Sequence, residues 1–179
     1  MKIIILAGGK GKRLGEKYKN IPKPFIKVDK YSIIEKLIHS FNKFNYKDFI
    51  ICCDHRVKFA ESLISKKLKE RNNIKFVNTG KESNTLLRIY KIKKFIDKNY
   101  FFVVYGDGIA NINFKKLIEN HKKSKKKITL TCYPFTPDKG ILHLNIKKRK
   151  FKFYEKIRLN NFWINIGYFV INTEMLKFI

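Results

Sequence analysis

Four times in its first 127 residues the chain follows a short apolar run with a segment of helical periodicity. The runs are Lys2–Ala7, Asp48–Cys53, Ile74–Val77 and Tyr100–Tyr105. Each has the length of a strand rather than of a buried helix. The segments between and after them, Ser32–Lys43, Val57–Glu70, Asn84–Lys98 and Asn113–Lys125, predict helices. In the first, Ser32 and Glu35 have capping-box spacing, and Ile34, Leu37, Ile38 and Phe41 make one apolar stripe. In the second, Phe59, Leu63, Ile64 and Leu68 fall roughly in register. Tyr100–Tyr105 is apolar throughout, which predicts a central strand covered on both faces. Such a βαβα series predicts an α/β fold, a mostly parallel sheet with helices on both faces.

After Lys127 the pattern changes. Ile128–Tyr133, Ile141–Ile146, Phe151–Tyr154 and Trp163–Ile171 are strand-like, and Thr173 is placed to cap a last helix. No internal repeat or flexible linker interrupts the chain. It is therefore read as a single domain, 1–179, with a βα part at 1–127 and a smaller β-rich part at 128–179.

Composition narrows the function classes. With 44% hydrophobic residues, the chain is not a disordered polybasic tail, despite a net charge of +27. Of 41 basic residues, 35 are Lys and 6 are Arg. A surface that reads phosphates or base edges would use Arg forks more freely. Most of the charge, including Lys122–Lys127 and Lys147–Lys152, is read as solvated background, with no specific nucleic-acid partner. No apolar run reaches the ~20 residues of a membrane span. Met1–Leu6 is too short for a signal peptide and reads as a strand. Cys52 and Cys53 sit in an apolar run, as buried small hydrophobes on opposite strand faces, and Cys132 stands alone. His39, His55, His121 and His143 are scattered, so neither a disulfide framework nor structural zinc is expected. A reducing cytoplasm is the expected compartment.

Three segments could carry chemistry. Leu6-Ala7-Gly8-Gly9-Lys10-Gly11-Lys12-Arg13-Leu14 follows the first strand. Its glycines let backbone N–H groups approach phosphate oxygens, or simply make a tight turn. It has neither the Walker A ending nor the dinucleotide spacing. In Ile21-Pro22-Lys23-Pro24-Phe25 the prolines keep Lys23 out of a helix, either presenting it to an anion or making an ordinary loop. In Tyr105-Gly106-Asp107-Gly108 a carboxylate ends the central strand, where open α/β sheets bind ligands; the plainer reading is an Asp-Gly turn.

Taken together, Gly8-Gly9-x-Gly11-x-Arg13-Leu14 and the following Lys23-Pro24 resemble the signature of the sugar-1-phosphate nucleotidyltransferases. Asp48–Cys53, Thr79-Gly80 with Ser83, Thr85 and Arg88, Tyr105–Gly108, Glu155-Lys156, and Ile164-Asn165-x-Gly167-Tyr168-Phe169-Val170 resemble the cytidylyltransferase branch acting on glucose 1-phosphate.

The resemblance implies a Rossmann-like nucleotidyltransferase fold and a transfer from a nucleoside triphosphate, CTP favoured, to a sugar 1-phosphate. Pyrophosphate leaves, and the product serves surface-polysaccharide (lipopolysaccharide) synthesis. It assigns the nucleotide to Leu6, Ala7, Gly8, Gly9, Gly11, Lys12, Ser83, Arg88 and Gly106. Arg13 would clamp the β- and γ-phosphates, Lys23 the α-phosphate, and Asp107 would hold Mg²⁺. Glu155, Lys156, Asn165 and Gly167 would take the sugar phosphate. Family members take a second Mg²⁺-binding Asp from a segment beyond the position of Ile179. Oligomers are possible. Lys12 stands where the family has Thr, Leu86-Leu87 where it has Gly-Gly, and Ile166 where it has Gly. Three readings stay open: an active enzyme, a relative that binds nucleotide or sugar phosphate without turnover, and a basic nucleic-acid or membrane binder.

Overall fold

A computed structural model describes residues 1–8, 21–155, 157, 159 and 161–179. The four sequence-expected strands form as β1 (Lys2–Leu6), β4 (Asp48–Cys53), β5 (Asn73–Asn78) and β6 (Tyr100–Tyr105). Before β4 lie two two-residue strands, β2 (Lys27–Val28) and β3 (Tyr31–Ser32), paired with each other. They are too short to have a readable period. The later strands are β7 (Ile128–Pro134), β8 (Ile141–Asn145), β9 (Lys150–Tyr154) and β10 (Trp163–Asn172). The helices are α1 (Ile33–Asn42), α2 (Val57–Ser62), α3 (Lys66–Glu70), α4 (Thr85–Ile92) and α5 (Phe114–Ser124).

The main sheet has the order β5-β4-β1-β6-β10-β7. Strands β5, β4, β1 and β6 run parallel, and β10 is antiparallel to β6. This is the mostly parallel α/β sheet expected from the sequence. Ile3, Ile4 and Ile5 of β1 are fully buried, since the strand is flanked on both edges and covered on both faces. On one face Phe41 of α1 stacks on Phe114 of α5, with centroids 4.0 Å apart, above Phe49 and Phe102. On the other, Ile89 and Ile92 of α4 pack with Ile4, Ile50, Cys52, Phe101 and Val103. The adjacent cysteines thus take opposite faces, as period-two alternation requires. Among the described residues no helix is long and apolar enough to cross a membrane.

The capping box at α1 forms as expected. Ser32 N donates to Glu35 Oε2 at 2.9 Å, and Glu35 N donates to Ser32 Oγ at 3.4 Å. The helix expected over Val57–Glu70 is instead two short helices. Glu35, buried under the break, accepts from Ser65 N through Oε1 at 3.0 Å, and Ser65 is extended there. With the register interrupted, Phe59 is 40% exposed rather than part of the stripe. Helix α4 stops at Ile92 and tightens into a 3₁₀ turn, Lys93–Phe95, short of the expected Lys98. The last segment, Thr173–Phe178, is 3₁₀ rather than α. Thr173 does not cap it, because its hydroxyl donates to Lys98 O.

Two compact units divide the chain. The first is Met1–Leu130 with Gly167–Ile179, and the second is Thr131–Ile166. In the second, β8 and β9 form a separate antiparallel hairpin that pairs Leu142 with Phe153 and Leu144 with Phe151.

Candidate functional site

In the first unit, a cavity of about 330 Å³ opens where β1 and β6 end side by side. Leu6, Ala7 and Gly8 line it from β1, and Tyr105 and Asp107 from β6. Lys23 and Pro24 border it, as do Ser83, Asn84, Thr85 and Arg88 around the start of α4. Placement at the carboxyl ends of parallel strands is the position such sheets use for ligands.

The strand ends are tied before any ligand is considered. Ala7 N donates to Cys53's neighbour, Cys52 O, at 2.9 Å, and Gly106 N donates to Leu6 O at 3.0 Å. A Cβ at Gly106 would lie 2.8 Å from Leu6 O and 3.1 Å from Pro24 Cγ, so glycine is required for this approach. Lys23 opens a single 3₁₀ turn, Lys23–Phe25, so the expectation that the prolines bar it from helical backbone holds only for α-helix. Pro24 is tolerated there because the first turn needs no N–H from it. From that turn Lys23 Nζ pairs with Asp107 Oδ2 at 2.9 Å, both side chains nearly half exposed. The pair is accessible and screened, and an incoming anion can compete for the ammonium.

Arg88 is the contrasting charge, with 3% exposure. Its Nη1 donates to Thr79 Oγ1 at 2.5 Å and to Cys53 O at 3.3 Å. Helix α4 carries it there because Asn84 caps the helix, accepting from Leu87 N at 2.9 Å. Ser83 Oγ donates to Thr79 O, and Lys91 Nζ donates to Thr79 O at 2.8 Å and to Ser83 Oγ at 3.2 Å. Burial beside these groups pushes the Cys52 and Cys53 thiols up to about 12, so neither is a thiolate nucleophile near neutral pH.

The cavity thus gathers Leu6, Ala7, Gly8, Lys23, Ser83, Arg88 and Asp107 of the sequence-expected residues, with Gly106 packed at its edge. Gly9, Gly11, Lys12, Arg13 and Lys156 lie outside the described residues. Glu155 and Asn165 are exposed residues of the second unit. Asn165 lies in the strand β10 and is exposed there. Gly167, with φ +81°, is buried against the Tyr105 ring, whose Cδ2 a Cβ would approach to 2.7 Å. Leu86 and Leu87 are 54% and 42% exposed. Sequence reasoning missed Thr79 and Lys91 as the partners that hold Arg88 and Ser83. The signals in the sequence were Thr79's place in one motif with Ser83 and Arg88, and Lys91's position about one helical turn after Arg88.

Among the described residues no group of three or more His, Cys, Asp or Glu side chains could hold a metal ion. Asp107 offers one accessible carboxylate at the cavity. A hard divalent ion such as Mg²⁺ fits if polyphosphate oxygens complete its shell.

The nucleotidyl transferase family model matches residues 2–179. The chain is 32% identical over 202 residues to glucose-1-phosphate cytidylyltransferase of Salmonella typhimurium, spanning 100% of this chain and 78% of that protein. It is 29% identical over 187 residues to mannose-1-phosphate guanyltransferase of Aspergillus oryzae, spanning 99% of this chain and 51% of the relative. Among solved structures, HddC from Yersinia pseudotuberculosis complexed with GMP-PN shares the fold at a TM-score of 0.74 and 20% identity, over 98% of this chain and 78% of that one. With a family match running almost end to end over a sheet of this topology, the chain belongs to the nucleotidyl transferase family.

Proposed function

We propose that the protein transfers a nucleotidyl group from a nucleoside triphosphate to a sugar 1-phosphate and releases pyrophosphate. The observation that carries this reading is one cavity at the β1 and β6 ends holding an accessible Lys23–Asp107 pair and a buried Arg88. Transfer at phosphorus needs positioning and charge neutralisation rather than a protein nucleophile. A sugar phosphate oxygen forms a new bond to the α-phosphorus while the bond to the bridging oxygen of the β-phosphate breaks. Lys23, nearly half exposed and held to Asp107 only by a solvent-screened pair, turns to the charge building on the α-phosphate. Arg88, buried and held by Thr79 and Cys53, contacts the nucleotide, with Gly8 and Ser83 beside it.

Asp107 would hold Mg²⁺, which would supply neutralisation of phosphate charge. Arg13 and the Gly9–Lys12 backbone are assigned to the triphosphate, and Glu155, Lys156, Asn165 and Gly167 to the sugar phosphate, by their resemblance to the family. CTP is the favoured nucleotide because the Salmonella relative is a cytidylyltransferase. The product would be a nucleotide-sugar for surface polysaccharide, made in the cytoplasm, where the free cysteines stay reduced.

Pyrophosphate release tests the reading. The purified chain is incubated with Mg²⁺, each of the four common nucleoside triphosphates and a panel of sugar 1-phosphates. CTP with glucose 1-phosphate is expected to be the best pair. Release with another nucleotide alone would overturn the CTP assignment, and release with none would overturn the enzyme reading.

A further inference from the structure

We propose that Thr79 is a positioning residue for the nucleotide wall of the cavity, acting through Arg88. The inference rests on the nucleotide reading above. Thr79 follows the end of β5, is fully buried and does not line the cavity. Its hydroxyl hydrogen is committed: Oγ1 donates to Cys53 O at 2.8 Å, beside the Thr79 N to Cys53 O bond at 2.9 Å. The lone pairs of the same oxygen are therefore turned to accept Arg88 Nη1 at 2.5 Å. Among the described residues no carboxylate pairs with Arg88, although it is 3% exposed. Its partners among those residues are a hydroxyl and a carbonyl, so no carboxylate there competes with an anionic or electron-rich ligand for the guanidinium.

The carbonyl of the same residue sets the other half of the wall. Thr79 O accepts from Ser83 Oγ and from Lys91 Nζ at 2.8 Å. One buried residue thus fixes Arg88 through its side chain and Ser83 through its backbone, and both fixed residues line the cavity. Loss of the hydroxyl would leave Nη1 with only the 3.3 Å contact to Cys53 O and free the guanidinium to shift.

The test is titration calorimetry of the full chain with Mg²⁺ and whichever common nucleoside triphosphate binds best, with thermal melting and the KM for sugar phosphate measured in parallel. Thr79→Val, which keeps the shape, is expected to weaken triphosphate binding about tenfold or more. Thr79→Ser, which keeps the hydroxyl, is expected to restore it. The KM for sugar phosphate should stay within about twofold, which a general loss of structure would not allow. Should Thr79→Val fail to fold, Thr79→Ala removes the same acceptor without placing a methyl against Arg88.

Arg88→Lys separates the two claims. If it leaves binding unchanged, the nucleotide reading of Arg88 fails, and this inference with it. If it weakens binding while Thr79→Val and Thr79→Ala do not, only the positioning inference fails. In the Arg88→Lys background, Thr79→Val is expected to add little further loss. A full additive loss would mean that Thr79 acts independently of Arg88 and would overturn the proposal.

Discussion

Gly8→Ala is expected to damage stability and nucleotide binding together. A Cβ built on Gly8 lies 2.2 Å from Arg88 Nη1, 2.5 Å from Cζ and 2.7 Å from Nη2, all under the 3.0 Å that real Cβ atoms essentially never breach. Ordinary packing needs about 3.5 Å or more, so the guanidinium must retreat by roughly 1 Å. The atoms met are the far end of a long side chain, which could move cheaply on a surface. Here it cannot, because Arg88 is 3% exposed and held by Thr79 Oγ1 at 2.5 Å. Overpacking of this kind costs about 1–3 kcal/mol. For a chain of this length each kcal/mol lowers the melting temperature by roughly 2–4 °C, so a fall of about 2–12 °C is expected. Differential scanning calorimetry measures it, and titration with the preferred triphosphate should show affinity falling about tenfold or more. A variant that melts within about 1 °C of the parent and binds equally well would refute the rigid Gly8–Arg88 contact.

Three further outcomes follow from other parts of the molecule. Burial raises the Glu35 carboxyl pKa, but hydrogen bonds from Ser32 and Ser65 outweigh it and hold the folded value below 4.5. The unfolded chain therefore takes up that proton first, so the stabilisation is full above about pH 4.5 and is lost as pH falls through the lower folded pKa. Glu35→Gln should accordingly cost about 1–3 kcal/mol in denaturant melts at pH 7 and progressively less in acid; an equal loss at all pH values would contradict the assignment. In the native chain iodoacetamide near pH 7.5 should label Cys132, which is exposed, and spare Cys52 and Cys53, whose burial pushes them to about 12; peptide mass spectrometry showing equal labelling of all three would refute their burial. Gly167→Ala, at φ +81° and 2.7 Å from Tyr105 Cδ2, should lower the melting temperature and be tolerated no better when Ser replaces Ala.

What the sequence made legible was local or periodic. The four parallel strands, the Ser32–Glu35 capping box and the opposed faces of Cys52 and Cys53 follow from spacing within a few residues. The break between α2 and α3 was not legible, because its cause is Glu35, 30 residues away from Ser65 in the chain. The same holds at the site. Lys23 and Asp107, 84 residues apart, meet only because β1 and β6 are neighbours in the sheet. The family motifs assigned both residues to one site but not to each other, and the charge of +27 gave no pointer, since most of it lies on lysines that are exposed among the described residues. Thr79 stood out only as part of a motif with Ser83 and Arg88; its bond to Arg88 was not legible, because it depends on β5 ending beside β4 and on a helix that returns Arg88 to that point. Gly106 was assigned to the nucleotide by resemblance alone; the packing reason for glycine there, the Leu6 carbonyl 2.8 Å from any Cβ, was not legible.

The central claim is transfer of a nucleotidyl group rather than binding or hydrolysis. The direct measurement follows the α-phosphorus of CTP, radiolabelled at that atom, in the presence of Mg²⁺ and glucose 1-phosphate, with products separated by chromatography. Label is expected in CDP-glucose, dependent on the sugar phosphate, and abolished by Asp107→Asn. Label that stays in CTP, or passes only to CMP, would contradict the account.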